Sequence, residues 1–235
     1  MDAHLVGLPV RIPVKEVYRY MGCPLEQSDI SPALQEMVEE EMAAAYPLLS
    51  PKASCATYDY DAQTHYAATP GKGLEITGLS IRRHLHGCEK VTIFTCTVGA
   101  EIELKIDTYF GAGEYTRALI MDAIGSAAVE EVADTINKYV QHAAHKQAYH
   151  LVSRFSPGYG DWDLAIQKEL VAAAGGHTIG IQVTPSSLLL PRKSVSALIG
   201  WIPGAGDPVR TASSPCNTCT LPRCDNPICK GGNIS

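Results

Sequence analysis

Charge is scarce in this chain of 235 residues: Asp, Glu, Lys and Arg together make up 19% of it. Basic residues are the fewer, 19 Lys and Arg against 25 Asp and Glu, and they nowhere gather into a run. A nucleic-acid surface needs a basic stripe to displace counterions, so a net charge of −6 and a pI near 5.7 argue against that class. Met1-Asp2-Ala3-His4 has neither the positive n-region nor the apolar core of a signal peptide. One long stretch, Leu170 to Pro191, carries no formal charge, but Gly175-Gly176, His177, Gln182 and Pro185 interrupt it. That pattern predicts two short elements and no membrane span. No P-loop, dinucleotide fingerprint, Ser-His-Asp order, flavin motif or internal repeat is evident. The expectation is a soluble, cytoplasmic protein without a nucleic-acid or membrane partner.

What is present is apolar. Hydrophobic residues make up 46%, which excludes a disordered or coiled-coil chain, and the length suits one large domain or two small ones. Pro13 with Val14, Val17, Tyr18 and Met21 has helical spacing closed by Gly22. Ser31-Pro32 opens a second helix with Leu34, Met37, Val38 and Met42 on one side, ended by Pro47. Strands are expected near Ser54–Tyr60, Gly73–Thr77 and Lys90–Val98. In the last, Val91 and Ile93 share one face while Phe94, Cys96 and Val98 share the other. Ser80 is read as the cap of a brief helix ending at Gly87. Ala100–Phe110 and Glu114 to about Tyr149 read as helices, the second very long. Asp161 is read as the cap of a helix ending at Gly175-Gly176, followed by strands at Thr178–Val183 and Val195–Trp201. Strands and helices do not alternate regularly, so the class is α+β. After Gly204 the composition shifts to Pro, Ser, Cys and Gly, dividing the chain into a domain over 1–205 and a tail over 206–235.

Two stretches invite chemistry. Gly125-Ser126-Ala127-Ala128 places small residues inside the long helix, where glycine costs about 1 kcal/mol against alanine. Close approach by a backbone or ligand, or simple helix packing, would each explain it. In Arg154-Phe155-Ser156-Pro157-Gly158-Tyr159-Gly160-Asp161, Gly158 and Gly160 let backbone amides approach a ligand. Arg154 offers a planar donor fork and Tyr159 a ring face with a hydroxyl, which suits a small zwitterion or anion, although an ordinary Gly/Pro turn with a surface Arg reads the same way. His84 and His86 with Cys88 read better as a helix end than as metal ligands. Asp161 and Asp163 read as first-turn acids, and Cys55 and Cys96 as core.

Read in order, Met121–Glu130, the Arg154 turn, Ile179–Ser186 and Pro191-Arg192-Lys193-Ser194-Val195-Ser196 resemble the activation domain of cobalamin-dependent methionine synthase. His84-Leu85-His86-Gly87-Cys88 ahead of Thr97-Val98-Gly99, and Glu16-Val17-Tyr18-Arg19-Tyr20-Met21-Gly22, are similar to small stand-alone members of that family. The resemblance spans about residues 10–203. It implies a C-shaped α+β fold with a central antiparallel sheet and flanking long helices. It also implies binding of S-adenosylmethionine and reactivation of a corrinoid partner by reductive methylation of its cob(II)alamin. Arg154, Gly158 and Tyr159 fall on the family's ligand turn, with Arg154 expected to meet the methionine carboxylate. Glu130 is expected to receive the ammonium group, and Glu16 to supply an N-terminal acidic contact. Larger members carry an acid where this chain has Ala148, and a tyrosine pair that is not found after Trp201. The sulfonium methyl is already activated, so orientation is expected to suffice and no catalytic side chain is nominated.

Four of the eight cysteines, Cys216, Cys219, Cys224 and Cys229, fall within fourteen residues. Four soft ligands without histidine suit an iron–sulfur cluster or, alternatively, zinc. A cluster there would pass the electron that cob(II)alamin reduction consumes. The alternative function is a corrinoid-protein partner or iron–sulfur electron-transfer module that methylates nothing.

Overall fold

The computed structural model describes residues 2–23 and 30–204. The four clustered cysteines and the tail expected over 206–235 lie outside the described residues. In chain order the elements are β1 (Asp2–Val6), α1 (Val14–Tyr20), α2 (Pro32–Ala45), β2 (Lys52–Asp61), β3 (Tyr66–Ala67), β4 (Leu74–Glu75) and α3 (Leu79–His84). There follow β5 (Lys90–Thr97), α4 (Glu101–Gly111), α5 (Tyr115–His145), β6 (Tyr149–Leu151), α6 (Gln167–Ala173), β7 (Gln182–Val183), β8 (Leu189–Leu190) and β9 (Ser194–Pro203).

Alternation along β5 sets the layering. Its odd and even residues point to opposite faces of one antiparallel sheet, ordered β4-β3-β2-β5-β9-β6 with β1 beside β2. Phe94, Cys96 and Val98 join the core made with α1, α2, α4 and α5, whereas Val91 and Ile93 join a second core with Ile81, Leu85, Trp162 and Leu170. A sheet buried on both faces explains why every residue of β5 after Lys90 is buried and is either apolar or threonine. The α+β class with an antiparallel sheet and a long helix is therefore the architecture present.

Local chemistry accounts for the start of α2. Ser31 accepts from the Leu34 amide at 3.4 Å and Pro32 occupies the first turn of α2. The 31-residue α5 buries Ala118, Met121, Ile124, Ala128, Val132 and Ile136 along the sheet-facing side. While Ala127 of its small-residue patch faces a cavity, the patch is packed by a side chain at Gly125. The aliphatic stem of Lys193 crosses it, and a Cβ at Gly125 would stand 3.2 Å from Lys193 Cγ. The Lys193 ammonium continues to Ser126 Oγ at 2.9 Å and to Asp122 at 2.7 Å.

Several elements depart from the expected ones. Thr178–Val183 is a 3-10 turn at Gly176–Ile179 followed by the two-residue β7, because Gly175 and Gly180, at φ of 72° and 89°, bracket a single turn. Ser80 does not cap α3. Gly78 stands at the cap position with φ 103°, and the Asp161 carboxylate accepts the Leu79 and Ser80 amides at 2.7 and 2.8 Å. Asp161 thus caps a helix about 80 residues upstream instead of its own successor, and Asp163 takes the local role by accepting from the Ala165 amide at 2.9 Å. Among the described residues, no helix is long and apolar enough to cross a membrane.

Candidate functional site

A cavity of about 440 Å³ opens between α1, α5 and the turn that follows β6. Helical spacing supplies the first wall: Ala127, Glu130, Glu131 and Asp134, at i, i+3, i+4 and i+7, share one face of α5. Pro13, Lys15, Glu16, Arg19 and Tyr20 on α1 face them, and Arg154, Ser156 and Tyr159 with Val195 of β9 close the third side. Glu16, Glu130, Arg154 and Tyr159, far apart in sequence, are thereby neighbours. Gly158 stands outside this wall, and its amide donates to the Trp162 carbonyl at 2.7 Å.

Arg154 is the electrostatic centre. It donates to Glu130 at 2.5 Å and to Asp134, so the like-charged i, i+4 pair on α5 is bridged by one guanidinium. Burial works against that charge, and the carboxylates of Glu130 and Asp134 outweigh it, holding the pKa of Arg154 above its ordinary value. On the facing helix, Arg19 pairs with Glu16 at 2.6 Å and lies 4.4 Å over the Tyr20 ring. Burial, then the Glu130 charge, pushes the Tyr20 phenol up. Glu131 is also pushed up, first by burial and then by Asp134. With four carboxylates against Lys15, Arg19 and Arg154, the cavity has a formal charge of −1.

The turn is fixed from beneath. Phe155 exchanges two backbone hydrogen bonds with Leu198 of β9, both at 2.9 Å, and its ring meets Tyr159 edge-on at 5.9 Å. Gly160, at φ 56°, packs so closely that a Cβ there would reach within 2.6 Å of Ser80 Oγ. The expected purpose of Gly160, backbone approach to a ligand, is therefore replaced by approach to α3.

Other candidates do not converge. His84 Nε2 bonds the Ser153 carbonyl at 2.6 Å, His86 is exposed, and Cys88 is buried in the second core. Among the described residues no group of three or more His, Cys, Asp or Glu side chains is placed to hold a metal. Burial raises the Cys55 thiol to about 11 and the Cys88 and Cys96 thiols to about 12, which leaves them unreactive. Sequence reasoning missed Asp134, Glu131, Arg19 and Tyr20. The first was within reach, since it lies one turn beyond Glu130 on the same face.

No protein-family model matches the chain, nor does any curated protein sequence. Among solved structures it is similar to the crystal structure of the MetH reactivation domain bound to AdoHcy. The TM-score is 0.63 at 13% identity, over 88% of this chain and 80% of that one. The likeness establishes a shared fold.

Proposed function

We propose that the cavity binds S-adenosylmethionine and that the protein serves the reductive methylation of cob(II)alamin on a corrinoid partner. The observation that carries this reading is the meeting of Arg154, Tyr159, Glu130 and Glu16 around one cavity of suitable charge. S-adenosylmethionine bears a carboxylate, an ammonium and a sulfonium, a net +1 that complements the −1 of the walls. The cavity volume lies within the roughly 300–1,000 Å³ of small-molecule sites. AdoHcy in a protein of the same fold supports the same ligand class.

Arg154 gives one donor to each of two carboxylates, and a guanidinium has five, so others remain for a ligand carboxylate. Glu130, already turned into the cavity, is the anionic partner a desolvated ammonium requires. Tyr159 and Tyr20 offer ring faces to the nucleoside. When bound, the sulfonium supplies an activated methyl group, so the protein's task is to hold the ligand in line and keep water out. The tail cysteines Cys216, Cys219, Cys224 and Cys229 are proposed to carry an iron–sulfur cluster, with zinc as the alternative, and a cluster would supply the electron.

Calorimetric titration of S-adenosylmethionine into the anaerobically purified full chain tests the reading. Saturable binding is expected, weakened roughly thirtyfold or more in Arg154→Ala, as for loss of about 2 kcal/mol at a part-buried charge pair. Folded protein that binds no S-adenosylmethionine overturns the methyl-donor reading. The four-cysteine run would then favour an electron-transfer module for a corrinoid protein.

A further inference from the structure

Helix α3 has six residues, and both of its ends are spent on the turn that carries Arg154 and Tyr159. At its start, the Leu79 and Ser80 amides hold the Asp161 carboxylate at 2.7 and 2.8 Å. At its end, His84 Nε2 meets the Ser153 carbonyl at 2.6 Å. A carbonyl only accepts, so the proton of this imidazole sits on Nε2. The His84 ring also leans on Phe155, with centroids 5.1 Å apart. There is no slack at the Asp161 end: a Cβ at Gly78 would lie 3.1 Å from the Asp161 carbonyl oxygen, and one at Gly160 would lie 2.6 Å from Ser80 Oγ.

We propose that His84 and Asp161 are positioning residues: α3 grips the 153–161 segment at both ends and so sets the Arg154 guanidinium and the Tyr159 ring for the ligand. The inference rests on the cavity being the S-adenosylmethionine site. Neither residue lines the cavity, so each acts through the turn. Fixing the turn before the ligand arrives removes an ordering cost that binding would otherwise bear. Between the two grips, the Gly158 amide is tied to the Trp162 carbonyl and the Tyr159 amide to the Ser156 carbonyl. The turn is thus a short closed loop whose conformation depends on where its ends are held.

The test pairs removal with conservative rescue in the full chain. His84→Leu and Asp161→Ala remove the grips. His84→Gln keeps an amide donor near the Nε2 position, and Asp161→Asn keeps a capping oxygen. Two readings are taken: S-adenosylmethionine affinity by calorimetry, and hydrogen exchange of the amides from 154 to 162 without ligand. Removal is expected to speed exchange in that segment and to raise Kd at least fivefold, with His84→Gln restoring most of both and Asp161→Asn, which keeps one of the two accepting oxygens, restoring part. Faster exchange with an unchanged Kd overturns the proposal, as does unchanged exchange. If the wild-type chain binds no S-adenosylmethionine, the functional reading fails, while exchange alone decides whether α3 holds the turn. Should His84→Leu fail to fold, Asp161→Ala at the exposed end of α3 and the two conservative variants decide the matter.

Discussion

Glu131 is the carboxylate of the cavity wall that forms no ion pair among the described residues, and burial and Asp134 push it above the ordinary 4.5. A cationic ligand offsets that crowding and favours the ionised carboxylate, so binding displaces a proton from Glu131 wherever the free protein still holds one. If S-adenosylmethionine is the ligand, its binding is expected to tighten as pH rises through the raised titration range of Glu131, above 4.5, with net proton release there when heats are compared in buffers of different ionisation enthalpy. Glu131→Gln should abolish the release and reduce the preference for S-adenosylmethionine over the uncharged thioether S-adenosylhomocysteine. Close packing sets another limit. Gly200 lies in the middle of β9, where a Cβ would stand 2.5 Å from Cys88 Sγ and 2.7 Å from Leu85 Cδ2, both in the buried second core. Gly200→Ala is expected to cost about 1–3 kcal/mol, read as a lower melting temperature.

At the scale of the element, α3 links the site to pH. His84 is held neutral, its pKa pushed below the ordinary 6.5 by burial, with the Ser153 carbonyl partly offsetting the effect. The unfolded chain takes up that proton first, so this contribution is intact above pH 6.5 and lost as pH falls below it. Asp161 is shifted below the ordinary 3.8 by the Ser80 and Leu79 amides, so its contribution is present above that value and lost on further acidification. The melting temperature of His84→Gln should accordingly vary less than wild type between pH 5 and 7. Such dependence was hidden in the sequence because the cap of α3 comes from a residue 81 and 82 positions away. By contrast, the Ser31-Pro32 start of α2 and the two faces of β5 were legible, since both are written in adjacent residues. The edge strands β1 and β6 escaped notice: five and three residues, none of them fully buried, leave little hydrophobic alternation to read.

The described residues form a double-sided sheet whose larger core is organised by α5, and the most deeply buried carboxylate in it is answered by partners. Glu41, 1% exposed, accepts from Tyr109 at 2.8 Å and pairs with Arg117, tying α2 to the α4–α5 hairpin. Among the described residues the last strand ends at Pro203, and the Gly204 amide returns to the Ala148 carbonyl at 2.9 Å. A chain ending there is expected to keep its melting temperature to within about 2 °C and its affinity for S-adenosylmethionine. Metal analysis of the full chain should find iron with acid-labile sulfide, or zinc, that the shortened chain lacks.

The two-ended hold of α3 also orders events as the chain is made. A helix of six residues is far below the roughly 12–15 needed for marginal stability alone. Its partners, Ser153 and Asp161, are synthesised 69 or more residues after the amides and imidazole that donate to them. Until the ribosome has added those residues, α3 lacks the contacts at both of its ends. A nascent chain cut short before Asp161 is therefore expected to hold neither the start of α3 nor the turn in its final shape.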